Sequence, residues 1–297
     1  MSTKIVKRTI SLANGETLGY REREGGEQTL LLIHGNMTSS QHWDVLMERI
    51  DPKYRLIAID LRGFGLSTYH QPIQSLKDFA QDIKLLVDRL KLRKFAMMGW
   101  SLGGGVAMQF AADYPEYVEK CILLCSMSTR GYPFYQFDET GKPMKRLQTK
   151  EEIAQDPLRS IPISRAYQER DKSFLRQLWN ALIYTQRQPS PEKYEIYLDD
   201  MCTQRNLVDV YHALNHFNIS KTPNELGNGT GEVEKIQAPV LILWGENDLV
   251  VTKPMTMELI EDLGEKAKVV SLQNCGHSPL IDDLEQLVKH VKSFLED

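Results

Sequence analysis

The pentad Gly99-Trp100-Ser101-Leu102-Gly103 constrains this chain more than any other feature. It follows the apolar run Phe95-Ala96-Met97-Met98 and precedes a helix-compatible run from Val106 to Tyr114. A serine on a tight strand-to-helix turn is held in a strained backbone conformation with its hydroxyl exposed, and flanking glycines let strand and helix approach closely. Gly103, Gly104 and Gly105 would each cost a helix about 1 kcal/mol relative to alanine, so their place in a first helical turn implies a need for contact that outweighs propensity. The pattern is that of a nucleophile elbow, and it demands a strand before Ser101 and a helix after it.

The same strand-then-helix rhythm runs through the chain. Thr9 to Leu12 and Thr17 to Arg21 flank Asn14-Gly15, which predicts an opening antiparallel hairpin. Strand-like Leu30 to Ile33 leads to a helical segment near Trp43 to Ile50, and strand-like Arg55 to Ile59 leads to Leu76 to Leu90. In the latter, Leu76, Phe79, Ala80, Ile83, Leu86, Val87 and Leu90 recur at helical spacing and predict one buried stripe. After the elbow comes strand-like Ile122 to Cys125; Val240 to Trp244 and Val269 to Leu272 are strand-like too, with helices near Met255 to Leu263 and Leu284 to Leu295. The reading is α/β, a mostly parallel sheet flanked by helices. From about Ser128 to Lys235 the strand-like runs give way to aromatic-rich, helix-compatible sequence. The expected organisation is a core over 1–127, an inserted helical cap or lid over 128–235 and the rest of the core over 236–297, with Gly227 to Gly231 as a flexible linker.

Composition narrows the partners. With 297 residues, a formal charge of -4 and 41% hydrophobic residues, the chain can bury a large core but offers no basic face for nucleic acid or an anionic membrane. The opening stretch Met1 to Arg8 scatters charges where a signal peptide needs an apolar run, so a cytoplasmic location is expected, with reduced thiols at Cys121, Cys125, Cys202 and Cys275 and unmodified Asn36, Asn218 and Asn228.

A serine hydroxyl needs a base within hydrogen-bond reach and a third group to orient that base. Two loops that follow predicted strands supply both: Trp244-Gly245-Glu246-Asn247-Asp248 and Asn274-Cys275-Gly276-His277-Ser278-Pro279. The candidate triad is Ser101, His277 and Asp248, in the chain order Ser, Asp, His; Glu246 competes for the acid, whereas Asp282 and Asp283 suit helix capping. The oxyanion formed by attack on a carbonyl would be met by the Leu102 N–H and by the Asn36 N–H of His34-Gly35-Asn36-Met37, a loop that His34 would order. Met37, Trp100, Tyr132, Phe134, Trp179, Tyr184 and Phe217 are the substrate-binding candidates, although most aromatics of the insertion would be its own core. Gly63-Phe64-Gly65 lacks the third glycine and the immediate helix of a dinucleotide site, and His212 with His216 lacks the neighbouring glutamate and third ligand of a zinc site.

Taken together, His34-Gly35-Asn36, Asp60-Leu61-Arg62-Gly63-Phe64-Gly65-Leu66-Ser67, the Ser101 elbow, Trp244 to Asp248 and Gly276-His277 resemble the α/β-hydrolase superfamily, of the capped esterase and haloperoxidase-like type. The resemblance implies an eight-stranded sheet, a helical cap inserted after the sixth strand, no cofactor or metal, and hydrolysis through an acyl-enzyme. Dehalogenases and epoxide hydrolases of this superfamily carry aspartate at the elbow, so Ser101 argues for acyl transfer; Met37 departs from the proline or glycine of many relatives. The expected activity is that of a serine esterase, a carboxylesterase or lactonase acting on a small, largely apolar ester or lactone, as a monomer or homodimer. Carbon–carbon bond hydrolysis and a ligand receptor that keeps the triad without turnover are the alternatives.

Overall fold

The structure, a computed structural model, describes residues 4–297, so the first three residues of the Met1 to Arg8 stretch lie outside the described residues. Strands β1 (Ile5–Ser11) and β2 (Thr17–Arg23) form the expected antiparallel hairpin, and Gly15 at φ +88° supplies the left-handed backbone its turn requires. Next come β3 (Gln28–Ile33), the short helix α1 (Asp44–Arg49) after a 3₁₀ turn, β4 (Tyr54–Ile59) and α2 (Leu76–Arg89). The apolar stripe of α2 is buried at Leu76, Phe79, Ala80, Ile83, Leu86 and Val87, and a capping box between Ser75 and Asp78 starts the helix. β5 (Phe95–Trp100) runs into α3 (Leu102–Asp113), which packs on α2, and β6 (Val118–Leu124) follows.

Eight strands form one sheet in the order β1-β2-β4-β3-β5-β6-β9-β10, in which β9 is Val240–Gly245 and β10 is Ala267–Leu272. β2 is antiparallel to both of its neighbours and every other pairing is parallel. The central strands are near-continuous apolar runs because helices cover both of their faces; every residue of β5 is buried. Parallel strands set their carboxyl ends along one edge, so the loops after β3, β5, β9 and β10 gather there.

Between β6 and β9 lie a two-stranded hairpin, β7 (Tyr135–Phe137) with β8 (Pro143–Arg146), and five helices: α4 (Lys150–Ala154), α5 (Ser160–Glu169), α6 (Lys172–Leu182), α7 (Pro191–Met201) and α8 (Leu207–His216). The hairpin departs from the all-helical expectation. Its strands are three and four residues long and mostly exposed, too short for an alternating pattern to show in sequence. The Gly227 to Gly231 stretch is not a free linker either: Asn224 and Gly227 exchange backbone hydrogen bonds, Thr230 N–H donates to Asn218 O and Gly231 N–H to Ser220 O. Beyond it a 3₁₀ turn, Glu232–Lys235, packs on α3, with Glu232 accepting from Lys77 Nζ at 2.6 Å. The chain closes with α9 (Lys253–Leu263), α10 (Pro279–Asp282) and α11 (Leu284–Glu296).

Candidate active site

Ser101 sits between β5 and α3 at φ +56°, ψ -118°, the strained backbone that the sequence demands. A β-carbon at Gly99 would overlap the carbonyl oxygen of Gly103, and one at Gly103 would overlap that of Ile33 at the end of β3. Gly104 and Gly105 face Ser126 and Met127 just as closely. The glycines in the first turn therefore seat α3 directly on the loops that follow β3 and β6, which offsets their poor helix propensity.

His277 Nδ1 lies 2.8 Å from Asp248 Oδ2 and 3.1 Å from Oδ1, and both side chains are buried. With its Nδ1–H donated to the carboxylate, the imidazole keeps Nε2 as an acceptor. Asp248 Oδ1 also accepts from Val250 N–H at 2.8 Å and Val251 N–H at 2.9 Å, which fixes the carboxylate against its own loop. Glu246 turns away: it accepts from Asn274 N–H at 2.7 Å in an exposed position. Asp283 caps α11, as its spacing suggests, but Asp282 does not cap; it accepts from Gly276 N–H at 2.8 Å and Arg187 N–H at 3.1 Å, bracing the His277 loop, and burial pushes its carboxyl up to about 6. Trp100 Nε1–H donates to His277 O at 2.7 Å, and His42 stacks on Trp100 with centroids 4.5 Å apart.

After β3, His34 Nδ1–H donates to Gly35 O at 2.7 Å while Nε2 accepts Leu61 N–H at 3.0 Å, so this histidine orders the loop as a neutral ring. Burial holds its pKa down at about 4. Met37 adopts φ +63°, a left-handed backbone that a glycine would adopt without strain, and its side chain lines the cavity.

One cavity of about 180 Å³ joins Ser101, Leu102, Asn36 and His277. Of the substrate-binding candidates, Met37, Trp100, Tyr132, Phe134 and Trp179 line it. Tyr184 and Phe217 do not: both are buried off the cavity wall, Tyr184 packed edge-on against Trp179 and Tyr194 with centroids 5.1 Å from each. Aromatic content marks a packed segment but not which way each ring faces. Aliphatic lining from α5, α6 and α8, including Ile163, Leu178 and Leu214, was not singled out in sequence because it merges with ordinary helix periodicity. Arg159 is the one lysine or arginine in the lining; its guanidinium lies 4.3 Å from the Phe134 ring centroid and is bonded to Asp156 at 2.7 Å and Tyr135 O at 3.1 Å.

Cys125, Asp248 and His277 bring a thiol, a carboxylate and an imidazole within 4.8 Å of one another, the only grouping of metal-ligating type among the described residues. Burial pushes the Cys125 thiol well up, and the Asp248 carboxylate beside it acts in the same direction. His212 and His216 pack against each other on α8 with tilted rings 4.2 Å apart, and His216 Nε2 lies 2.6 Å from Gln148 O.

An eight-stranded, mostly parallel sheet with a serine elbow at the end of its fifth strand is the architecture of the α/β hydrolases. The chain belongs to the alpha/beta hydrolase fold family, whose sequence profile matches residues 28–284. Over 303 residues it is 23% identical to a 2-hydroxy-6-oxononadienedioate/2-hydroxy-6-oxononatrienedioate hydrolase of Pseudomonas putida, an alignment that covers 99% of this chain and 98% of that one. Among solved structures, an esterase from Exiguobacterium antarcticum superposes with a TM-score of 0.76 at 18% identity, covering 98% of this chain and 100% of that one. The enol-lactonase from Burkholderia xenovorans LB400 gives 0.74 at 18% identity with the same coverage. At these identities the likeness is one of fold. Among the described residues no helix is long and apolar enough to cross a membrane.

Proposed function

We propose that the protein is a serine hydrolase of small, largely apolar carboxylic esters or lactones. His277 Nε2 takes the Ser101 proton as Oγ attacks the carbonyl carbon; Asp248 holds the tautomer and stabilises the imidazolium; the Leu102 and Asn36 N–H groups receive the oxyanion. Collapse of the tetrahedral intermediate expels the alcohol, which takes its proton from His277, and water then hydrolyses the acyl-enzyme by the same route. The segment 128–235 acts as a lid that shapes the acyl and alcohol pockets. The observation that carries this reading is the strained Ser101 lining one apolar cavity with His277, whose other nitrogen is bonded to Asp248.

The alternative reaction, carbon–carbon bond hydrolysis, is favoured by the activity for which the Pseudomonas putida relative is named. A dioate brings two carboxylates, however, and the sole lysine or arginine in the lining, Arg159, is already paired with Asp156. Esters therefore suit this cavity better. The test is a fluorophosphonate label followed by peptide mass analysis, together with turnover of an ester and lactone panel alongside 2-hydroxy-6-oxo-dienoates. A label on Ser101, and an activity lost on the order of 10⁴-fold in a folded Ser101→Ala, are expected. A label on another serine, or activity that survives the change, defeats the reading.

A further inference from the structure

The loop that carries Asn36 is gripped from two sides. From the core, His34 Nε2 accepts Leu61 N–H at 3.0 Å and Asp60 Oδ1 accepts Ser40 N–H at 2.9 Å. From the inserted segment, Gln204 Nε2 donates to Asn36 Oδ1 at 2.9 Å. Asp200, in the last turn of α7, accepts from Ser39 N–H at 2.9 Å, Ser39 Oγ at 2.5 Å and Thr38 Oγ1 at 3.5 Å. Between these grips sits Met37 at φ +63°. Such a backbone is strained for an L-residue and persists only where its surroundings over-determine it. Asp200 is partly buried, and among the described residues no cation is bonded to it; Asp60 opposes its charge and Arg21 favours it at longer range. A carboxylate withdrawn from water is costly unless donors satisfy it, and all of its donors come from this one loop.

We infer that Asp200 and Gln204 are positioning residues: they lock Asn36 to Ser39 in the one conformation that aims the Asn36 N–H at the oxyanion. Seating of α7 on the core and competence of the oxyanion hole then become a single event. The inference rests on the acyl-transfer reading of Ser101 above.

The test uses the full-length protein and three measurements: the rate of Ser101 labelling by a fluorophosphonate, kcat and KM on an activated acetate ester, and amide hydrogen exchange at Met37, Thr38 and Ser39. Loss of one oxyanion donor costs about 10²- to 10³-fold, so a displaced one should cost less. Asp200→Ala is expected to lower kcat about 10- to 100-fold with KM within about 3-fold, to slow labelling in parallel and to speed exchange at Ser39. Asp200→Asn, which keeps a carbonyl oxygen for the Ser39 N–H, should fall between it and the native protein. Gln204→Ala should act in the same direction. Asp199→Asn changes the exposed neighbour on α7 that pairs with Arg170 and Lys172, and should match the native protein.

A rise in KM alone, or an unchanged kcat despite faster exchange, overturns the positioning role; unchanged exchange overturns the clamp. If Asp200→Ala does not fold, Asp200→Asn and Gln204→Ala decide the question by the same outcomes. If the native protein is not labelled at Ser101, the hydrolase reading falls and the positioning role with it, while the exchange data still decide whether the clamp exists.

Discussion

Two acids share the loop after β9, and the geometry separates them. Asp248 meets His277 Nδ1 while Glu246 bonds to Asn274 N–H in an exposed position, so only one of the two can hold the imidazole tautomer. Asp248→Asn should therefore cost roughly 10⁴-fold in kcat, whereas Glu246→Gln should stay within a few-fold of the native enzyme. Steady-state kinetics on one activated ester checks this, and the reverse ranking would reassign the acid. That Ser101, Asp248 and His277 would gather was legible in sequence for one reason: each lies within about five residues of a strand's carboxyl end, and parallel strands deliver such residues to one edge. Asp200 and Gln204 were not legible. Their partners lie more than a hundred residues away in the chain, and nothing in the local pattern of α7 marks a carboxylate that points into another loop. Tyr184 and Phe217 show the same limit from the other side, since composition brought them forward and packing withdrew them.

At the scale of elements, the core strands and helices could be read from periodicity because each buries one face or both. The inserted segment was legible as helical but not in its detail: a hairpin with exposed strands has no apolar alternation, and glycine-rich sequence looks the same whether it hangs free or is pinned by backbone hydrogen bonds. Phe134, between the hairpin and the preceding loop, and Trp179, on α6, line the cavity, whereas Tyr184 and Phe217 lie behind its wall. Alanine at Phe134 or Trp179 is thus expected to shift the preferred acyl or alcohol size by more than it lowers turnover of a small ester. Alanine at Tyr184 or Phe217 should leave the size profile in place and lower stability, by about 3–5 kcal/mol for a fully buried aromatic. A graded ester panel combined with denaturant melts separates the two pairs. Equal size profiles for all four variants would remove the segment between β6 and β9 from substrate selection.

For the molecule as a whole, buried histidines link stability to pH. Burial holds His34 at about 4 and His42 at about 3, below the ordinary 6.5, so both stay neutral in the folded protein while the unfolded chain takes up protons as pH falls. Their stabilisation is present above about 6.5 and is lost progressively toward 4 and 3. Asp200 and Asp282, each pushed up to about 6 by burial, act in the opposite sense: what they contribute is present below the ordinary carboxyl range and lost as pH rises through 6. A comparison with His42→Phe isolates one member of this set. Between pH 7.5 and pH 5 the native protein should lose about 2 kcal/mol more than this variant in urea unfolding, and parallel losses would show that His42 is not the group being titrated. The start of the segment between β6 and β9 is also tied to the stretch that follows α8, since Ile219 N–H donates to Thr129 O at 2.9 Å. The small hairpin and the five helices between those two residues thus form one large loop fastened at its base by a backbone hydrogen bond. Replacing that stretch would remove Asp200 and Gln204 as well, so any exchanged segment has to bring its own partners for Asn36 and Ser39.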